Sequence, residues 1–340
     1  MIVEAIGKLV QKEHLTQEQS KAVFNQIMCG EATDAQIGAY LIAQRLSGET
    51  QAEIAGAAEV MREKATPIPV KSESIIDTCG TGGDKSNTFN VSTTCAFVLA
   101  AAGLAVAKHG NRSVSSSCGS ADVLQELGVN LDITPTQVAQ CVDEIGIGFL
   151  FAPKLHGAMK HAIGPRKEIG QRSIFNLLGP LTNPAGAKHQ LMGVFDGNYT
   201  SILAHVLGDL GANHAWVVHG EDGLDEITLT ASTKVAEYKD GKVNEFTINP
   251  VDLGYKLCTK EELAGGSLAT NAQIVKDILN GMPGPKKEIV ELNAGAAIYI
   301  GGKASSLAEG VAKARAIIDS KKALKKLEEL KQLSNSLGEI

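Results

Sequence analysis

The residues best suited to chemistry lie in a few short strings. The first is Asp77-Thr78-Cys79-Gly80-Thr81-Gly82-Gly83-Asp84-Lys85-Ser86, directly after the apolar pair Ile75-Ile76. Glycines at a strand end let several backbone N–H groups converge on one point, and a helix starting just beyond adds its positive dipole end, so the pair makes an anion cradle. It is neither of the common nucleotide loops: Asp84 stands where a Walker A motif has Gly before the Lys, and Lys85 where the dinucleotide fingerprint has its last Gly. A glycine-rich turn without a ligand is the alternative. The next run, Asn87-Thr88-Phe89-Asn90-Val91-Ser92-Thr93-Thr94, offers Asn90 as a helix cap, with the Ser92 and Thr93 hydroxyls in the first turn as phosphate donors or hard-metal ligands. Capping alone needs one such residue, and the run supplies several.

Three further strings carry charge. Lys108-His109-Gly110-Asn111-Arg112-Ser113, followed by Ser115 to Ser117 and Ser120, comes after the apolar run Leu104 to Ala107. That places a second anion-friendly loop at a strand carboxyl end, where open α/β sheets bind ligands. In Gly223-Leu224-Asp225-Glu226, two neighbouring carboxylates follow the turn that ends the run Ala215 to Val218, and at a turn both can reach an oxygen-liganded divalent cation. The segment Gly164 to Ser173 holds Arg166, Lys167 and Arg172, and composition does not separate them. The histidines other than His109 form no metal-ligand pattern and read as packing or surface residues.

The elements that must position these strings change character along the chain. Up to Lys64 the apolar spacing is helical, including an amphipathic helix over Met1 to Gln19 that does not read as a signal peptide. Thr33 and Asp34 are cap candidates for a helix whose stretch Ala35 to Leu46 is apolar on more faces than a small bundle covers. Thr66-Pro67-Ile68-Pro69 then ends the helical pattern. Beyond it, short apolar runs at Ile75-Ile76, Leu104 to Ala107, Ile147 to Phe151, Leu191 to Phe195 and Ala215 to Val218 alternate with helical stretches. This is the pattern of a mostly parallel sheet with crossover helices. Val235 to Tyr238 and Val243 to Ile248 flank Asp240-Gly241 as a hairpin, and Leu307 to Leu337 reads as an outer helix with Lys321, Lys322, Lys325 and Lys326 facing water. The expected plan is therefore α/β: a small all-helical domain over residues 1–66 and a larger α/β domain over 70–340.

The 340 residues comprise 44% hydrophobic and 21% charged types, with 32 Lys and Arg against 38 Asp and Glu. A net charge of −6 offers no general attraction to nucleic acid or to an anionic membrane, so a polyanion must be bound locally. The longest apolar stretch, Cys95 to Ala107, is too short to span a bilayer. Six scattered cysteines without ligand spacing read as reduced thiols. A cytoplasmic location, with no nucleic-acid or membrane partner, is expected.

Taken in order, GTGGD (80–84), NVST (90–93), KHGNR (108–112), GSADVLQELG (119–128), FNLLGPLTNP (175–184) and GLDE (223–226) resemble the anthranilate phosphoribosyltransferase family over the whole chain. The resemblance implies a nucleoside phosphorylase/phosphoribosyltransferase-like fold with the site in a cleft between the two domains, and a homodimer formed through the N-terminal helices. It implies phosphoribosyl diphosphate bound by Gly80, Gly83, Asp84, Thr88, Asn90, Ser92, Thr93, Lys108 and Ser120. Anthranilate would meet Gly80, Asn111 and Arg166, the last through its carboxylate. Mg²⁺ would be held by Ser92, Asp225 and Glu226, and no side chain is assigned as a catalytic acid, base or nucleophile. The chain departs from the family's pattern at His156-Gly157 and at Gly164-Pro165. A pyrimidine nucleoside phosphorylase would share the two-domain plan, but its glycine loop starts Lys-His-Ser and it carries an extra C-terminal domain; neither is seen. A nucleic-acid-binding relative would show a basic cleft and a broken acidic pair.

Overall fold

The computed structural model describes residues 1–84, 86–112 and 118–338. The chain opens with α1 (Ile2–Val10), α2 (Gln17–Met28), α3 (Asp34–Ser47) and α4 (Gln51–Lys64). Three of these start alike: Thr16, Thr33 and Thr50 each accept the N–H three residues on, while Gln19, Gln36 and Glu53 reach back to the cap N–H. Each box satisfies two of the N–H groups that a helix start leaves open. The first helix is shorter than the sequence suggests, because Lys12 adopts φ 61° and turns the chain before α2.

After the prolines the order is β1 (Ile75–Asp77), α5 (Val91–Ala101), β2 (Ala105–Gly110), α6 (Ser120–Glu126), α7 (Pro135–Ile145), β3 (Ile147–Phe151), α8 (Ala152–Leu155), α9 (Lys160–Ile169), α10 (Phe175–Leu181), β4 (His189–Gly193), α11 (Tyr199–Asp209), β5 (His214–Gly220), β6 (Thr233–Lys239) and β7 (Lys242–Ile248). Four helices, α12 (Lys260–Leu263), α13 (Leu268–Leu279), α14 (Pro285–Ile300) and α15 (Leu307–Asp319), lead to α16 (Lys322–Gly338). The outer C-terminal helix is thus two helices, broken where Lys321 adopts φ 59°. The strands form one sheet in the order β3-β2-β1-β4-β5-β6-β7, parallel through β5 and closed by the antiparallel β6–β7 hairpin. Asp240 and Gly241, at φ 51° and 77°, make the primed turn that the hairpin's twist requires.

Side chains alternate across the sheet and define two cores. Leu191, Trp216 and Val218 face α5, α14 and the C-terminal helices. Met192, Ala215 and Val217 face α10, α11 and the N-terminal bundle. Later chain returns to the bundle: α9 packs on α2 and α3, and α10 and α11 pack on α4. Polar ties join the layers, with Arg62 donating to the carbonyls of Leu181 (2.6 Å) and Leu210 (2.8 Å) and Tyr199 donating to Glu49 (2.7 Å). From β1 the chain crosses outward to β2 and β3 and returns on the other side as β4, so the carboxyl ends of β1 and β4 flank a topological switch point, where such sheets hold ligands. Among the described residues no helix is long and apolar enough to cross a membrane, and all six cysteines are unpaired.

Candidate active site

The glycine loop leaves β1 at this switch point and is strapped to the end of β4. Thr81 N–H donates to the Gly193 carbonyl (2.9 Å), and Phe195 N–H donates to Thr81 Oγ1 (3.1 Å). Gly82 N–H donates to Asp225 Oδ2 (2.8 Å), which brings the GLDE turn against the loop. A side chain at Gly80 would meet Asp225 Oδ2 at 2.9 Å, so the approach depends on glycine. Asp84 accepts from Ser86 and raises the Asp225 pKa by its charge, and Thr88 Oγ1 lies 3.3 Å from Ser86 Oγ. Lys85 is outside the described residues.

Asp225 and Glu226 are half-buried carboxylates, both pushed above their ordinary pKa by burial first and then by like charge, Asp84 acting on Asp225 and Asp225 on Glu226. The Ser92 backbone and Lys108 oppose the rise at Glu226. Crowded acids with hard oxygen donors, beside a serine in the first turn of α5, are the donor set that a divalent cation such as Mg²⁺ takes. A second group does not fit it. Asp77, Cys79 and His109 bring one ligand atom each within 4.8 Å of one another, but the donors are spent. Asp77 accepts from His109 N–H (3.1 Å) and Asn183 Nδ2 (2.7 Å), and burial pushes the Cys79 thiol up to about 12. This is a packing hub that fixes β1, β2 and the chain after α10, since Asn183 Nδ2 also donates to the Ala107 carbonyl (2.8 Å).

Three expectations are corrected here. β2 runs on through Gly110 in register with β3, so Lys108 and His109 lie inside a strand and are buried instead of standing in a loop. Lys108 Nζ donates to the His109 carbonyl (3.1 Å), and its charge acts on Asp77 and Glu226 from below. Thr93 turns into the core at 2% exposure and leaves only its backbone N–H for a ligand. Asn90 holds the N-cap position of α5 without capping it, because its side-chain amide donates to the Cys118 carbonyl (3.2 Å). Ser92 stays half-buried at the helix start. Across the cleft mouth Asn111 and Arg112 are exposed; Ser120 Oγ donates to the Asn111 carbonyl (3.2 Å), and Arg112 pairs with Asp122 (2.8 Å). Ser113 and Ser115 to Ser117 lie outside the described residues.

Arg166 sits in the last turn of α9 with its guanidinium over the Phe175 ring at 4.8 Å, half-buried, and burial holds its pKa below the ordinary value. A desolvated cation braced on an aromatic face is ready for a carboxylate. Lys167 is exposed. Two contacts escaped sequence reasoning. Arg172 donates to the Gly83 carbonyl and stacks over Phe195 at 4.1 Å, so it grips the glycine loop. His156 Nε2 lies 3.2 Å from His109 Nε2, and burial lowers the two pKa values to about 4 and about 3, leaving both rings neutral at pH 7. The partners are 89 and 47 residues apart, so no local pattern announces them.

Comparison with known proteins covers nearly the whole chain. Residues 3–65 match the family described as "Glycosyl transferase family, helical bundle domain", and residues 72–324 match "Glycosyl transferase family, a/b domain". The chain is 54% identical to the anthranilate phosphoribosyltransferase of Trichlorobacter lovleyi, covering 98% of this chain and 100% of the relative. It is 53% identical to that of Acetivibrio thermocellus, covering 99% and 97%. Its fold is similar to the crystal structure of anthranilate phosphoribosyltransferase from Thermus thermophilus, with a TM-score of 0.93, 42% identity and coverage of 97% and 99%. The Saccharomyces cerevisiae enzyme in complex with PRPP and Mg matches with a TM-score of 0.88 at 25% identity, covering 98% of each chain.

Proposed function

Because the chain belongs to the anthranilate phosphoribosyltransferase family, we infer that the cleft over β1 and β4 takes phosphoribosyl diphosphate, with anthranilate on the side of Arg166. The enzyme transfers the phosphoribosyl group to the amine of anthranilate, giving N-(5-phosphoribosyl)anthranilate and diphosphate, a step of tryptophan biosynthesis. The observation that carries the site reading is the acid pair held against the glycine loop by the Gly82–Asp225 bond.

Breaking the bond from ribose C1 to diphosphate develops positive charge on the sugar and negative charge on the leaving group, so aimed dipoles and cations supply the largest help. The glycine loop at Gly80 and Gly83, with Asp84 and Thr88 beside it, lines the diphosphate end. Asn90, Ser92 and Thr93 add the open start of α5, with Lys108 below and Ser120 across the mouth. Ser92, Asp225 and Glu226 would hold Mg²⁺, which neutralises the diphosphate as it leaves. Asn111 and Arg166 receive anthranilate, the guanidinium gripping its carboxylate with two parallel bonds while Gly80 leaves space for the ring. An aromatic amine is already mostly neutral at pH 7, so no side chain is needed as a strong base before attack. Loss of anthranilate fluorescence in the presence of phosphoribosyl diphosphate and Mg²⁺ is the expected assay result; unchanged fluorescence with folded protein overturns the reading.

The working form is a cytoplasmic homodimer. The inner face of α3 is covered within the chain, by contrast with the broad apolar surplus expected over Ala35 to Leu46; what stays exposed is Leu46 at 80% and, on α1, which packs on α3, Val3 and Val10 at 64% and 70%. Exposed apolar side chains on these two packed helices suit a second copy across a two-fold axis. Light scattering should give twice the 35.6 kDa chain mass, and a monomer at micromolar concentration would sink the idea.

A further inference from the structure

Asp225 and Glu226 lie in a stretch between β5 and β6 that has no strand or helix of its own. A ladder therefore does not fix where their carboxylates point. Gly82 N–H and the Ser92 backbone meet the carboxylates themselves, and two contacts fix the backbone behind them. On one side the backbone lies against the end of β4, so close that a Cβ at Gly193 would fall 1.5 Å from the Asp225 carbonyl oxygen. On the other side stands Asn293, in the buried middle of α14 and 0% exposed. Ile227 N–H donates to Asn293 Oδ1 at 2.9 Å, and Asn293 Nδ2 donates back to the Ile227 carbonyl at 2.8 Å. The remaining amide hydrogen goes to the Ile289 carbonyl at 2.9 Å, so the side chain is locked to its own helix. Reciprocal N–H and C=O bonding to one residue is what a neighbouring strand supplies.

We propose that Asn293 is a positioning residue for the acid pair: it serves as a one-residue strand partner for Ile227 and thereby aims Glu226 and Asp225 at the metal on the diphosphate. It touches neither substrate. The neighbours Ile289, Val290, Leu292 and Ala294 are buried and apolar, and the other buried polar side chain of this helix, Glu291, is paired with Lys287 and Arg315. A leucine at 293 would occupy much the same space but leave the Ile227 N–H and carbonyl without partners, and the segment must then shift to find them. A displacement of about 1 Å in such a segment costs on the order of a hundredfold in rate.

The inference rests on reading Asp225 and Glu226 as the metal ligands, and the test separates the two. Mn²⁺ alone is titrated into wild type, Asn293→Leu and the double variant Asp225→Asn/Glu226→Gln, followed by loss of the free-ion paramagnetic signal. The double variant should lose binding. Asn293→Leu should bind at least about tenfold more weakly, keep its anthranilate KM within about twofold, and recover part of kcat at high Mg²⁺. If the double variant binds like wild type, the metal reading falls and the positioning role with it. If only the double variant loses Mn²⁺, or if Asn293→Leu lowers every kinetic parameter alike with normal Mn²⁺ binding, the positioning role alone is overturned. Should Asn293→Leu not fold, Asn293→Ser takes its place. Hydrogen exchange on wild type adds a test that needs no variant: the Ile227 amide should be protected like those of β5, and exchange as fast as in the Gly223 turn overturns the clamp.

Discussion

The start of α5 and the starts of the bundle helices obey different rules. In the bundle, Thr16, Thr33 and Thr50 close their helices with complete reciprocal boxes, and Glu53 also accepts the Leu15 N–H at 2.9 Å. At α5 the residue in the same place, Asn90, turns its amide to Cys118 and leaves the first turn without a side-chain cap. Those three bundle helices have their first N–H groups satisfied from within, whereas the start of α5, uncapped by its own N-cap side chain, turns its Ser92 backbone toward Glu226 and leaves room for the ligand proposed above. The same contrast holds for charge. Around the glycine loop three acids repel one another, and a bound cation would relieve them.

The largest effect that sharpens this contrast should come from Asp225→Asn with Glu226→Gln. Turnover is expected to fall on the order of 10³-fold, as when a main electrostatic stabiliser is removed. The melting temperature without metal should not fall, since repulsion is removed with the charge; a marked drop would show that the pair serves the fold. Next in size, Arg166→Ala should raise the anthranilate KM by about 30-fold to several thousandfold, from the roughly 2 to 5 kcal/mol that truncating one partner of a desolvated pair costs. Arg166→Lys should recover only part, because a point charge cannot supply the fork. Arg172, which composition does not separate from Arg166, should instead show its loss on the KM for phosphoribosyl diphosphate, about 5- to 30-fold for roughly 1 to 2 kcal/mol of loop support. Equal effects of both arginines on both substrates would erase the distinction between the two sides of the cleft.

A change of pH probes the site side by another route. His109 and His156 are held neutral, with pKa values lowered from 6.5 to about 3 and about 4. The unfolded chain therefore binds protons that the folded chain refuses, so their contribution to stability is complete above pH 6.5 and declines as pH falls toward 4. Melting curves from pH 8 to 4 should show this decline, and His156→Gln should flatten it; an equally steep decline in that variant would remove the pair as its source. The smallest effect belongs to the bundle. Thr50→Ala should cost about 1 kcal/mol of stability by removing a cap and leave both KM values alone. A change in substrate KM would mean that the bundle's helix starts take part in binding after all.

The sequence is legible where local rules decide. Ile147 to Phe151 is a strand with the expected bounds, Thr33 caps its helix, and Asp240-Gly241 turns the hairpin. The glycine loop and the acid pair could be named as candidates because glycine and carboxylate chemistry is local. Legibility fails where a distant partner overrules composition. Lys108 and His109 look like loop residues, yet Asp77 and His156 supply partners that let them lie buried in β2. Breaks at Lys12 and Lys321 are equally silent, because neither glycine nor proline marks them. Arg172 and Asn293 act across 89 and 66 residues, and only the folded chain brings them to their carbonyls.

Gly193 bears no functional group, yet its place against the Asp225 carbonyl makes it stricter than the residues it serves. An acid can be exchanged for its amide and keep its shape, whereas at Gly193 even a methyl group has nowhere to go and the contact is with backbone, which cannot swing aside. In a saturation survey scored for folding, the tolerance map should therefore look inverted: positions 225 and 226, proposed to hold the metal, accept isosteres, and the blank position 193 accepts nothing.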